Sequence, residues 1–287
     1  MANNGNRRFK PYEELEFRDD FMFGKVMEDP VLCHDVLECL LQRKIGKLDT
    51  SHPQKEFQFI SDGKPIRMDI FSRTEDEVFD AEVQNLNKQA IASLELPRRT
   101  RFYQASVDSD FVRKGDSYKT LPESTILFIC TFDPFGKGLD RYTFRERCIE
   151  DDTLLLGDGT TKVFYNCTYK GDNIPDDLKH LYEYIDNGKT GSDLTKRIHK
   201  AVNKARKIEE WRSMYMKEMV LLMDAREEGR EEERKNTDAE RKKAEAERKK
   251  AEAERKKAEA ERRRADEAEA KVRELEARLA ALTMPAS

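Results

Sequence analysis

Apolar and polar residues alternate twice in close succession between Pro65 and Gln84. In the first run Ile66, Met68 and Ile70 alternate with Arg67, Asp69 and Phe71. In the second, Val78, Phe79, Ala81 and Val83 surround Asp80, Glu82 and Gln84. A period of two belongs to a strand, and the intervening Ser72 to Glu77 run has the composition of a turn, so this stretch predicts a hairpin. Lys55 to Ile60 reads as a strand before it, which makes an antiparallel trio. Helical spacing precedes the trio. Asp19-Asp20 opens an amphipathic helix with Phe21, Val26 and Met27 that ends at Asp29-Pro30. A second helix runs from Val31 to Arg43, its buried face marked by Val36, Leu37, Leu40 and Leu41.

After the hairpin the pattern is helical from Lys88 to Val112, with a break expected at Pro97. Thr125 to Phe132 is a near-continuous apolar run, the mark of a strand buried on both faces. Arg141 to Cys148 and Lys162 to Tyr169 supply two more strands, and Pro175 to Ile185 a helix with proline in its first turn. Ser192 or Asp193 caps what reads as one long helix running past Trp211 and Met223.

From Glu227 the character changes. AERKKAE begins at Ala239, Ala246 and Ala253, with a degenerate copy at Ala260. Its alanines fall five and two apart, which builds no seven-residue apolar seam, whereas opposite charges recur four apart. Each such exposed pair contributes only about 0.2 to 0.5 kcal/mol, but a series of them sustains a solvated helix. At the end Val272, Leu275, Leu279 and Leu282 follow a 3-4-3 spacing, a short a/d seam that implies weak self-association, a homo-oligomer formed through the C-terminal helix.

Composition sharpens this division. Charged residues make up 39% of the 287, too many for one ordinary globule and consistent with a core plus a charged tail. Net charge is only -4, so attraction to phosphate has to be local. There is no long apolar run, and the start MANNGNRRFK lacks the apolar centre of a signal peptide, so a soluble, cytoplasmic protein with no membrane association is expected. Five scattered cysteines without a C-x-x-C pair, and four dispersed histidines, support neither a disulfide framework nor a zinc site.

The chemistry concentrates in the hairpin. Glu82 and Gln84 share a strand face, and pairing brings Asp69 to the same edge. Carboxylates so close repel one another, and a divalent cation is the usual reason to keep both ionised. An Asp in one strand and Glu-x-Gln in the next resembles the active site of PD-(D/E)xK nucleases, and more narrowly that of the Rpn family, the recombination-promoting nucleases also labelled transposases. The likeness covers roughly residues 15 to 230. It includes Asp19-Asp20-Phe21-Met22-Phe23-Gly24-Lys25 at the first helix, Arg99-Thr-Arg-Phe-Tyr103 after the hairpin, and the charged Glu228 to Arg234.

The resemblance implies a restriction-endonuclease-like α/β (α+β) core, a mixed sheet flanked by helices, followed by a long charged C-terminal helix. With the composition and repeats, the chain divides into a disordered lead over 1–14, a nuclease-like domain over 15–190, a long attached helix over 191–230 and a charged heptad-repeat helical tail over 231–287 with a short coiled-coil-like end. By the same resemblance Asp69 and Glu82, with the Val83 carbonyl, would hold Mg2+ or Mn2+. Asp20 would be the acid of the first helix, and the product a hydrolysed phosphodiester in DNA. Gln84 stands where most of the superfamily has lysine, and Lys88 or Arg99 would supply the missing cation. Arg99 and Tyr103, four apart on one helical face, suit phosphate contact. Two other readings stand beside this one: a DNA-binding module that keeps the fold with weak turnover, and a scaffold whose business is the helical tail.

Overall fold

Glu82 lies on one of the two central strands of the sheet. In the computed structural model, which describes residues 10–57, 66–85, 95–113 and 115–282, six strands form one mixed sheet. They are β1 (Thr50–Phe57), β2 (Ile66–Arg73), β3 (Glu77–Gln84), β4 (Glu123–Cys130), β5 (Arg141–Phe144) and β6 (Thr160–Asn166), in the order β1-β2-β3-β4-β6-β5. The first three are antiparallel neighbours, as the alternating pattern implies. β4 then lies parallel to β3 and β6 parallel to β4, while β5 closes the far edge antiparallel to β6. Because β3 and β4 are interior and covered on both faces, nearly every residue in them is buried. This explains the unbroken apolar run of β4.

One face of the sheet is covered by α1 (Asp20–Met27), which packs on β1, β2 and β3, and by α2 (Pro30–Leu41). Behind them lie α4 (Asp176–Asn187) and α5 (Asp193–Ala205). Asp29 caps α2 by accepting from the amides of Val31 and Leu32 at 3.0 and 3.1 Å, with Pro30 at the first helical position. The other face is covered by α3 (Glu95–Phe111). Its Leu96, Tyr103 and Val107 join Phe71, Val78, Ile126, Phe128 and Phe164 in one buried cluster, with the Phe128 and Phe164 rings stacked at 5.2 Å.

Several expectations shift. The strand placed at Lys55–Ile60 begins at Thr50, and residues 58–60 lie outside the described ones. α3 is described from Glu95 and contains Pro97, and residues 88–94 of the expected helix lie outside the described ones. The strand expected over Arg141–Cys148 stops at Phe144, and beyond it only Arg147 bridges to Leu155.

The long helix expected from residue 192 is two, α5 and α6 (Glu209–Leu282). Nothing in the local sequence between them is a breaker; tertiary bonds make the interruption. The Tyr12 hydroxyl donates to the Ala205 carbonyl at 2.7 Å and the Arg206 guanidinium to the Leu15 carbonyl at 2.8 Å. The same bonds correct the reading of residues 1–14 as a lead. From Lys10 the chain is packed, with Tyr12 buried against Phe21 and Tyr215; residues 1–9 lie outside the described ones.

By contacts the chain forms two units, Met1–Lys217 and Glu218–Ser287. The described part of the second is helical as far as Leu282. No helix among the described residues is long and apolar enough to cross a membrane.

The buried bond at Tyr12 generates a stability prediction. Tyr12→Phe keeps the ring but removes one of the two donors to the Ala205 carbonyl, leaving the Ile208 amide at 2.9 Å, at a cost of about 1 to 2 kcal/mol. Thermal unfolding should show a loss of roughly 2 to 8 °C. An unchanged midpoint would mean that the contact does not anchor the junction of α5 and α6.

Candidate active site

Between Arg73↔Val78 and Ile70↔Ala81 the β2–β3 ladder is regular. One step further it is replaced by side chains. The Asp69 amide donates to Glu82 Oε1 at 2.9 Å, and the Val83 amide donates to Asp69 Oδ2 at 3.1 Å. Each strand thus lends a carboxylate to the other's backbone. The two acids are fixed by main-chain donors at the sheet end where β2 begins and β3 finishes.

Asp80, Glu82 and Gln84 follow at intervals of two on β3, and all three are buried, while Asp69 retains partial access to solvent. Their face is the one beneath α3. Arg99, on the first turns of α3, donates to Gln84 Oε1 at 3.0 Å, to Glu82 Oε2 at 3.3 Å and to the Tyr103 hydroxyl at 2.6 Å. The Arg99 guanidinium also lies over the rings of Tyr103 and Phe128, at 5.2 and 5.6 Å. Tyr103 is buried, so it steadies Arg99 from within the core and does not face solvent.

The electrostatics follow from this crowding. Burial raises the Asp69 carboxyl well above the ordinary carboxylate range, and the charges of Glu82 and Asp20 raise it further, against the Val83 amide and Arg99. Glu82 is raised by burial and then by Asp80, Asp80 by burial and then by Asp69. Asp20, in the first turn of α1, therefore acts on both metal-site candidates, as its place on the first helix implies.

Asp80 was legible as a β3 residue but not as a member of this group. Its signal was the two-residue interval to Glu82. Among the described residues neither of its carboxylate oxygens has a hydrogen-bond partner. An orphaned buried carboxylate beside two raised acids is a demand for protons or for a cation, so the residues present fit a divalent metal.

Lys88 lies outside the described residues. The one group of three acid or histidine ligand atoms within 4.8 Å among the described residues is elsewhere, at His34, Asp35 and Glu38. There Asp35 is already paired with Arg197 and Glu38 with Lys44, so the local charge is met. All five cysteines are free and four of them buried, as expected for core residues.

Residues 14–153 match a family model described as PD-(D/E)XK nuclease family transposase. The match spans β1 to β5 and α1 to α3, and so contains every group of the site. It supports a nuclease-like function. Comparison with curated proteins gives no match.

The raised acids set a pH dependence whose sign is fixed. Groups with folded-state values above the unfolded ones bind more protons when folded, so their contribution is fully present below about pH 4 and is lost as pH rises through the raised range. In EDTA, stability should fall more steeply between pH 5 and 8 in wild type than in Asp80→Asn. The variant should melt roughly 2 to 4 °C higher at pH 7.5. Equal slopes in the two proteins would remove Asp80 from the coupled group.

Proposed function

On the premise that residues 14–153 belong to the PD-(D/E)XK nuclease family, we propose that this chain is a Mg2+- or Mn2+-dependent endonuclease that hydrolyses phosphodiester bonds in DNA. The observation that carries the proposal is the exchange of carboxylates between β2 and β3, which holds Asp69 and Glu82 together against their mutual repulsion. These two residues, with the Val83 carbonyl, would hold the cation. When bound it lowers the pKa of a water and offsets charge on the phosphate.

The protein's own part is positioning and compensation. Gln84 cannot bring the positive charge of a lysine. Its carbonyl oxygen instead accepts from Arg99, which sets that guanidinium beside Glu82 at the edge of the acid group. Of the two cations considered for the missing charge, Arg99 is therefore the one assigned to this role. Arg98 and Arg101 are exposed on the same helix and would meet the DNA backbone. Asp20 would complete the acidic set from α1. On this reading the activity serves recombination or mobile elements, a role that the transposase description of the matched family supports.

Gln84 also favours a second reading, a DNA-binding module of the same fold with weak turnover, because no lysine stands at that position. One assay separates the two. Supercoiled plasmid is incubated with the full chain in Mg2+, Mn2+ or EDTA. Wild type should nick it only with metal, and Asp69→Asn and Glu82→Gln should each slow nicking at least about a hundredfold, the loss of roughly 2.7 kcal/mol of barrier stabilisation. Arg99→Ala should slow it about tenfold or more, with Arg99→Lys in between. Retained DNA binding with no nicking in any metal would establish the weaker module. Nicking unaffected by Glu82→Gln would place the chemistry elsewhere.

A further inference from the structure

The second unit carries apolar side chains near each end that are exposed among the described residues. Near its start Met223 is 55% exposed and Met219 half-buried; near its end Val272 and Leu275 are 53% and 57% exposed. Between them the helix is continuous, and the two patches are in phase. From Met223 to Val272 is 49 residues, seven whole heptads. With Val272 at an a position and Leu275 at d, Met219 falls at d and Met223 at a. A single solvated strut has no need of this phase, because its stability rests on pairs four apart and not on a common face.

The stretch between the patches places Ala244, Ala251, Ala258 and Ala265 at a. It places Glu233, Glu240, Glu247, Glu254 and Glu261 at d, with Arg226 and Ala268 the remaining d residues and Arg230 and Thr237 the remaining a residues. The ion pairs of the repeat lie off this face. Glu245–Lys249, Glu252–Lys256 and Arg255–Glu259 all use b, e or f positions. Among the described residues none of Glu240, Glu247, Glu254 and Glu261 makes an ion pair. The outer face is neutralised within the helix, and the a/d face keeps an acidic stripe bordered by Arg241, Arg248 and Arg262 at e and Lys243, Lys250 and Lys257 at g.

We propose that this face binds a second copy of the chain, with the two helices antiparallel. Orientation follows from the charges. In a parallel pair each d glutamate meets its own equivalent, giving five like-charged layers, which associating surfaces avoid. In the antiparallel pair that sets Met223 opposite Leu275, Met219 falls opposite Leu279. Glu233, Glu240, Glu247, Glu254 and Glu261 then face Ala265, Ala258, Ala251, Ala244 and Thr237. Every acidic layer is opposed by a small side chain, which lets the carboxylate turn outward to the partner's bordering cations. Met223 of each copy then meets Leu275 of the other, while Val272 packs against the aliphatic stem of Arg226.

Sedimentation of the intact chain at tens of micromolar should give twice 33.6 kDa, and Leu275→Glu should return it to the monomer mass. Leu275→Ala, which keeps the helix, should weaken association at least tenfold. Orientation is read by oxidative crosslinking in a Cys148→Ser background, because the other four cysteines are buried. One chain carries Met219→Cys and the other Leu279→Cys, and the two are mixed. Disulfides joining position 219 to position 279 are expected. Disulfides joining like positions would show a parallel pair and overturn the proposal, as would a wild type that sediments as a monomer. These readouts are independent of cleavage.

Discussion

Where the β2–β3 ladder ends, two backbone amides find side-chain carboxylates in place of carbonyls, and the rest of the core is arranged around that substitution. A carboxylate held by a main-chain N–H has little rotamer freedom left to lose when a ligand arrives. It is also a poor place for a negative charge unless something compensates, because β3 is interior and α3 closes over its polar face. Two amides and one guanidinium are the compensation visible among the described residues. They do not suffice, since Asp69, Asp80 and Glu82 all remain raised. The metal-free site is thus least comfortable at the pH where a nuclease would use it, and a bound cation would relieve that discomfort.

Arg99 and Gln84 belong together in this balance. A lysine at position 84 would place a second cation where the Arg99 guanidinium now donates to the Gln84 carbonyl oxygen. With glutamine there, the amide acts as the acceptor that aims Arg99, and the positive charge enters from α3 and not from β3. The same helix turn presents Tyr103 to Arg99 from the core side, so the guanidinium is fixed by a hydroxyl, an amide, a carboxylate and two ring faces. On the nuclease reading proposed above, the absence of lysine at position 84 is matched by a guanidinium delivered from α3.

Much of this was legible before any coordinates. Alternation placed Asp69 against Glu82, the four-residue interval joined Arg99 to Tyr103, and the apolar run of β4 announced its burial. Asp80 was not legible as a site residue, because the hairpin reads as half exposed when considered alone. Only the parallel partner β4 on the far side of β3, with Ile126 opposite Asp80, turns that polar position into an orphan beneath α3. The interruption between α5 and α6 was hidden for a related reason. Ala205, Arg206, Lys207 and Ile208 carry no glycine or proline, and the stop is imposed by Tyr12 and Arg206 bonding across nearly two hundred residues of sequence. Local pattern gives elements; long-range hydrogen bonds decide where they end.

The tail obeys a different economy from the core. Exposed pairs four apart are worth only tenths of a kcal/mol each, so the helix of the second unit depends on having many of them and on having no competing fold. Alanine at one heptad position and glutamate at the next exclude a conventional parallel zipper, which would stack like charges in register. Yet the methionine and leucine patches are separated by a whole number of heptads, a spacing that repetition of a seven-residue unit preserves at any copy number. Repeat gain or loss would therefore change the length of the helix without rotating one patch away from the other. A sequence that looks like low-complexity spacer is in this respect constrained. It keeps two apolar ends on one face whatever distance lies between them.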